Sequence, residues 1–102
     1  MNATIVTTIV EADPLTLREL ALAVGADDAW VIRLVEVEIL RAETPAEPPE
    51  RWRFRSADLQ RALAARRLER DFGANLDTAA LILELQEQLR QMRSLLAAHG
   101  VR

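Results

Sequence analysis

Two clusters of residue types carry whatever chemistry this chain performs. Arg51-Trp52-Arg53-Phe54-Arg55 alternates guanidinium groups with aromatic rings. Arginines interleaved with aromatics can grip nucleic acid through phosphate pairing and base stacking. The same alternation also describes a strand with a solvated outer face over a buried Trp52/Phe54 inner face. The second cluster is Asp27, Asp28, Glu36 and Glu38, crowded around the single base Arg33. Carboxylates at that density suit a basic surface and are repelled by phosphate. Catalytic constellations have little to be built from. The chain contains no cysteine, no tyrosine and no lysine, and its one histidine, His99, lies next to the C-terminus. Thiol nucleophiles, cysteine–zinc sites, disulfides and Schiff-base lysines are thereby excluded, and a histidine-based triad or metal site lacks members. The expectation is a non-enzymatic protein with no cofactor and no metal, His99 being a solvated tail residue.

These residues sit in a chain of 102, half of it hydrophobic, 28% charged, with a formal net charge of −3. That length predicts one domain over 1–102, with residues 1–55 and 56–98 as its two parts and 99–102 as a frayed tail. Residues 1–10 lack a basic leader region, and threonines interrupt their apolar run. No later stretch approaches 18 consecutive apolar residues, so neither a secretory signal nor a membrane span is expected and the predicted location is cytoplasmic. The near-neutral total hides an asymmetry. Residues 1–50 hold ten acids against three arginines, a net −7, whereas residues 51–102 hold ten arginines against six acids, a net +4. Oppositely charged halves either attract each other within the fold or mark surfaces for different partners.

The positioning elements follow from periodicity. Residues 3–10 (ATIVTTIV) alternate and are β-branched, which predicts a strand. Thr16-Leu17-Arg18-Glu19 reads as a capping box. Leu17, Leu20, Ala21 and Val24 then mark one face of a helix that Gly25 closes. Asp27 or Asp28 caps a second helix with Val31, Leu34 and Val35 as its buried stripe, giving a helix-turn-helix. Trp30 is open to two readings, core filler or interface anchor. Ile32 falls one step off the stripe and is expected to be exposed. Three prolines make residues 42–50 a loop. Ile39-Leu40-Arg41 and Trp52–Phe54 on either side of it are expected to pair as a β-wing, with the N-terminal strand as a third member.

A third helix is predicted from Ser56 or Asp58 to about Asp71. Leu59 and Leu63 lie on one side, Leu68 and Phe72 nearly opposite, as for a helix wedged between two layers. Arg66, Arg67 and Arg70 are placed to pair with Glu69 or Asp71, or with the acidic half. Gly73 stops this helix and Asn75 caps the last one, about 76–98. There Ile82, Leu85, Leu89, Met92 and Leu96 recur at spacings of 3, 4, 3 and 4, an a/d seam of two heptads. It can pack within the monomer or join a second copy. Homodimer contact is favoured because Leu81 and Leu95, with Leu83 and Ala97 near them, widen the apolar surface.

This order of elements resembles the MerR-like winged helix-turn-helix, a mainly α fold with a small β-wing and a long C-terminal helix. Thr16 to Leu40 aligns with that pattern without a gap, sharing Glu19-Leu20-Ala21, Gly25 and Ile39-Leu40. Within it the chain is most similar to the CbpM chaperone-modulator family. The carrying stretches are Trp52-Arg53-Phe54, the turn from Arg67 through Asp71-Phe72-Gly73-Ala74-Asn75-Leu76, and Ala79 through Glu84-Leu85. The resemblance implies a regulator that occupies the J-domain of a DnaJ/CbpA-type co-chaperone and inhibits its work with the Hsp70 chaperone DnaK. J-domains are known for a basic second helix, which the −7 half complements.

The resemblance also sharpens a contrast. MerR-type DNA binders carry an arginine and tyrosines where this chain has Ile32, Arg33 and Leu34. Their wing-turn glycine falls at Glu38, so the turn there must differ or be strained. Direct DNA binding through the acidic second helix is therefore disfavoured. The expected contacts to a basic partner surface are Asp28, Ile32, Glu36 and Glu38. A MerR-like DNA-binding transcriptional regulator is the alternative.

Overall fold

A computed structural model describes residues 14–100. The expected strand at 3–10 and the last two residues of the expected frayed tail lie outside the described residues. Strand β1 (Leu15–Thr16) runs directly into α1 (Leu17–Val24). The Thr16 hydroxyl accepts from the Glu19 amide at 3.1 Å, and the Glu19 carboxylate accepts from the Thr16 amide at 2.9 Å. This is the reciprocal cap that the local sequence predicts. Gly25 ends α1 at φ 72°, in the left-handed region that favours glycine. The Asp27 carboxylate caps α2 (Asp28–Glu36) by accepting from the Trp30 amide at 2.9 Å. Val31 and Leu34 are buried as expected, while Val35 is only partly so.

The exit of α2 carries the strain that the missing glycine implies. Glu38 stands at φ 63°, its amide donating to the Val35 carbonyl at 3.1 Å and the Ile39 amide to the Leu34 carbonyl at 2.9 Å. Such a helix closure ordinarily places glycine at the left-handed position, and a residue with a Cβ is strained there. Glu38→Gly is expected to raise the thermal midpoint by about 2–6 °C in a calorimetric scan. A lowered midpoint would instead show the glutamate side chain stabilising the turn.

The wing departs from expectation. Ile39 and Leu40 are buried plugs of the core whose amides both donate to the Leu34 carbonyl, at 2.9 and 3.2 Å. Spent on closing α2, they do not form the predicted strand. Strand β2 (Arg53–Phe54) pairs instead with β1, antiparallel, with Leu15 opposite Phe54 and Thr16 opposite Arg53. It is also shorter than the arginine–aromatic alternation suggests, because Arg51 belongs to a 3-10 turn, Pro49–Arg51, at the end of the proline-rich loop. Trp52 and Phe54 are buried edge to face, ring centroids 6.3 Å apart, and the Trp52 indole donates to the Glu47 carbonyl at 3.0 Å. The loop is thereby tied over the core.

Helix α3 (Ser56–Phe72) lies between α1 and α4 (Leu76–Ala98). The residues that make this position possible are small. Ala62 and Ala65 are fully buried, while Leu59, Leu63 and Leu68 pack at the margins. Phe72, expected on a second apolar side, is 77% exposed. It is the last residue of α3, where Gly73 at φ 64° turns the chain away. The Asn75 side chain then caps α4 by accepting from the Thr78 amide at 2.8 Å. Among the described residues no helix is long and apolar enough to cross a membrane.

Candidate functional site

Asp28, Ile32 and Glu36 recur every fourth residue of α2 and so share one face, with Glu38 just beyond the helix end. The four do not contribute alike. Asp28 is engaged by Arg18 of α1, whose Nε lies 3.2 Å from one carboxylate oxygen and 3.3 Å from the other. Ile32, expected to be exposed, is half-buried and packs against the core. Glu36 and Glu38 are exposed and have no ion pair among the described residues. Arg33 is the one base on the helix. This helix occupies the second position of the helix-turn-helix, where a groove reader would carry positive charge.

Glu38 also borders a shallow cleft of about 250 Å³, lined besides by Ile39, Arg41, Asp58, Arg61 and Glu84. Its charge is mixed, and Arg61 is committed there, donating from Nε to the Ile39 carbonyl at 2.8 Å.

The arginine–aromatic segment resolves into its structural reading. Trp52 and Phe54 point inward, and Arg51, Arg53 and Arg55 are exposed. Arg53 folds back on the Trp52 carbonyl at 2.8 Å, and Arg55 pairs with Glu43 of the loop at 3.0 Å. Arg51 is left as the exposed base of the three without such a contact among the described residues.

Trp30 proves to be a junction between elements. Its indole nitrogen donates to the Glu69 carboxylate of α3 at 2.9 Å, and the Arg66 guanidinium stacks over its ring at 5.7 Å. Arg66 also donates to the Gly25 carbonyl at 3.0 Å. Of the pairings expected within α3, Arg70 does meet Asp71, at 3.7 Å. Sequence reasoning missed Glu69 as the partner of Trp30. The two are 39 residues apart, so no local spacing signals their contact.

Helix α4 divides along its length. Leu76, Ala79 and Leu83 are buried against the rest of the fold, so Leu83 does not widen the free seam as expected. Ile82 is half-buried. Leu85, Leu89, Met92 and Leu96, with Leu81 and Leu95, are between 45% and 62% exposed. At 3.6 residues per turn the seam points nearly opposite to the packed side. Arg90 bonds Glu87 beside it, and its hydrogen bond and charge hold the Glu87 carboxyl below the usual range.

Helix, glycine turn, acid-capped second helix, small sheet and a long trailing helix together define a helix-turn-helix regulator of the winged kind. The chain belongs to the MerR helix-turn-helix family of regulatory proteins, whose family model, described as MerR HTH family regulatory protein, matches residues 15–98. No solved structure matches the chain.

Proposed function

We propose that this MerR-like domain serves protein binding: it is a non-enzymatic chaperone modulator that occupies the J-domain of a DnaJ/CbpA-type co-chaperone. By covering the surface that DnaK needs, it inhibits the co-chaperone's work. The observation that carries the reading is the exposed Glu36 and Glu38, without an ion pair among the described residues, on and beside the helix that a DNA binder would lay in the groove. Phosphate repels that charge, whereas a basic J-domain helix attracts it. The likeness of the Arg67–Leu76 turn and the start of α4 to CbpM proteins supports the same choice.

The test is a titration of the full chain with a CbpA-type J-domain at low and high salt. Binding is expected, weakening several-fold as salt rises, because screening acts within about 10 Å at 0.1 M. Affinity indifferent to salt, or binding to a DNA duplex with none to the J-domain, overturns it. The second reading, a DNA-binding MerR-like transcriptional regulator, is favoured by the family match itself and by exposed Arg51 beside the sheet.

The α4 seam is proposed as the surface that joins two copies, because its apolar side chains are exposed. Its six open side chains expose on the order of 600 Å² per chain, so pairing buries about 1,200 Å², the lower bound of a stable interface. Leu85→Glu with Leu89→Glu is expected to convert a dimer to a folded monomer in sedimentation velocity. A wild-type chain that sediments as a monomer at tens of micromolar rejects the pairing.

A further inference from the structure

The face formed by Asp28, Ile32 and Glu36 is only as well defined as the angle of α2, and that angle has an unusual support. Helix α2 packs chiefly against α1. Its tie to α3, which also packs against α4, adds contacts between long side chains to the shared apolar core. Trp30 sits two residues from both Asp28 and Ile32, hence on the side of α2 turned away from that face. Two contacts hold it, the indole N–H on Glu69 at 2.9 Å and the Arg66 guanidinium 5.7 Å above the ring, and Arg66 is itself anchored on the Gly25 carbonyl at 3.0 Å. The backbone beneath is pinned as well, since the Trp30 amide donates to the Asp27 cap. Glu69 and Arg66 are one helical turn apart on α3, so they hold the half-buried indole from its edge and from its face. A charge-assisted bond from a directional donor and a cation over a ring fix orientation better than apolar packing, which tolerates sliding.

We infer that Trp30, Arg66 and Glu69 are positioning residues for partner binding: they form a clamp between α2 and α3 that sets how the Asp28/Ile32/Glu36 face is presented. The inference rests on the reading of α2 as the partner-binding helix, and the clamp acts on binding through the face that it orients. Glu69→Ala removes the acceptor and frees the indole. Glu69→Gln keeps an acceptor oxygen at the same reach. Trp30→Phe keeps a ring and deletes the donor.

The experiment measures amide hydrogen exchange by NMR together with J-domain affinity, for the full-length wild type and these three variants. The Trp30 indole N–H resonance is assigned by its loss in Trp30→Phe. In Glu69→Ala and Trp30→Phe the α2 amides are expected to lose about tenfold in protection, as befits one hydrogen bond to a charged group. The α4 amides should stay unchanged and J-domain affinity should fall by a similar factor. Glu69→Gln should bring both back to within about threefold of the wild type, since a neutral acceptor keeps roughly half of a charge-assisted bond. Equal loss of protection in α2 and α4 overturns the clamp, because the cluster would then be general stabilisation. Unchanged α2 protection, or unchanged affinity in Glu69→Ala, overturns it too. A wild type that fails to bind the J-domain refutes the functional reading and with it the clamp's role in binding, whereas the exchange data decide the clamp itself.

Discussion

Phe54→Ala is expected to remove about 3–5 kcal/mol of folding stability, the usual cost of emptying a fully buried phenylalanine site. Phe54 is the largest of the completely buried side chains among the described residues. It sits where β2 meets β1, opposite Leu15, with the Trp52 ring against its edge. Its loss opens a cavity in the core cluster that also holds Leu20 and Leu40. Domains of this size hold about 5–15 kcal/mol in total, so the variant should be marginal or unfolded at room temperature. Urea unfolding followed by tryptophan fluorescence measures it. Phe72→Ala is the control: a surface ring 77% exposed should shift stability by less than about 0.5 kcal/mol. A Phe54→Ala cost as small as the control's would contradict the core arrangement.

Glu36→Lys combined with Glu38→Lys is expected to weaken J-domain binding by roughly tenfold to a hundredfold while leaving the fold intact, since both side chains are exposed. Reversal does more than truncation. It removes two attractions and installs two repulsions against a basic partner. The double variant also separates the two functional readings, because it makes α2 more basic and so must strengthen contact with phosphate. Calorimetric titration with the J-domain and fluorescence anisotropy with a DNA duplex should move in opposite directions. If wild-type binding is to DNA and the double variant binds DNA more tightly, the regulator reading stands. If J-domain affinity survives the reversal, α2 is not the contact helix.

Part of the site was legible and part was not, for reasons visible in single residues. Glu36 and Glu38 could be placed on the surface because a carboxylate without a nearby partner stays in water. Asp28 shares a face of α2 with Glu36, yet its pairing with Arg18 joins two helices and no spacing rule reports it. Ile32 was misjudged as exposed. Helical periodicity assigns a direction to a side chain and says nothing of what a neighbouring element brings against it.

The same division holds for the fold. Local sequence located the start of three helices, because a cap is a contact between residues three apart: Thr16 with Glu19, Asp27 (with Asp28 as the other candidate) with Trp30, and Asn75 with Thr78. It also determined the seam of α4 and the charge of α2, which are properties of composition and period. Only the tertiary structure decided which strand pairs with Arg53–Phe54, which helix holds Trp30, and that the seam faces outward. Each of these depends on groups tens of residues apart competing for one hydrogen bond or one patch of core. Ile39 and Leu40 show the competition most plainly: their amides could serve a wing or close α2, and burial of their side chains beside Leu34 chose the second.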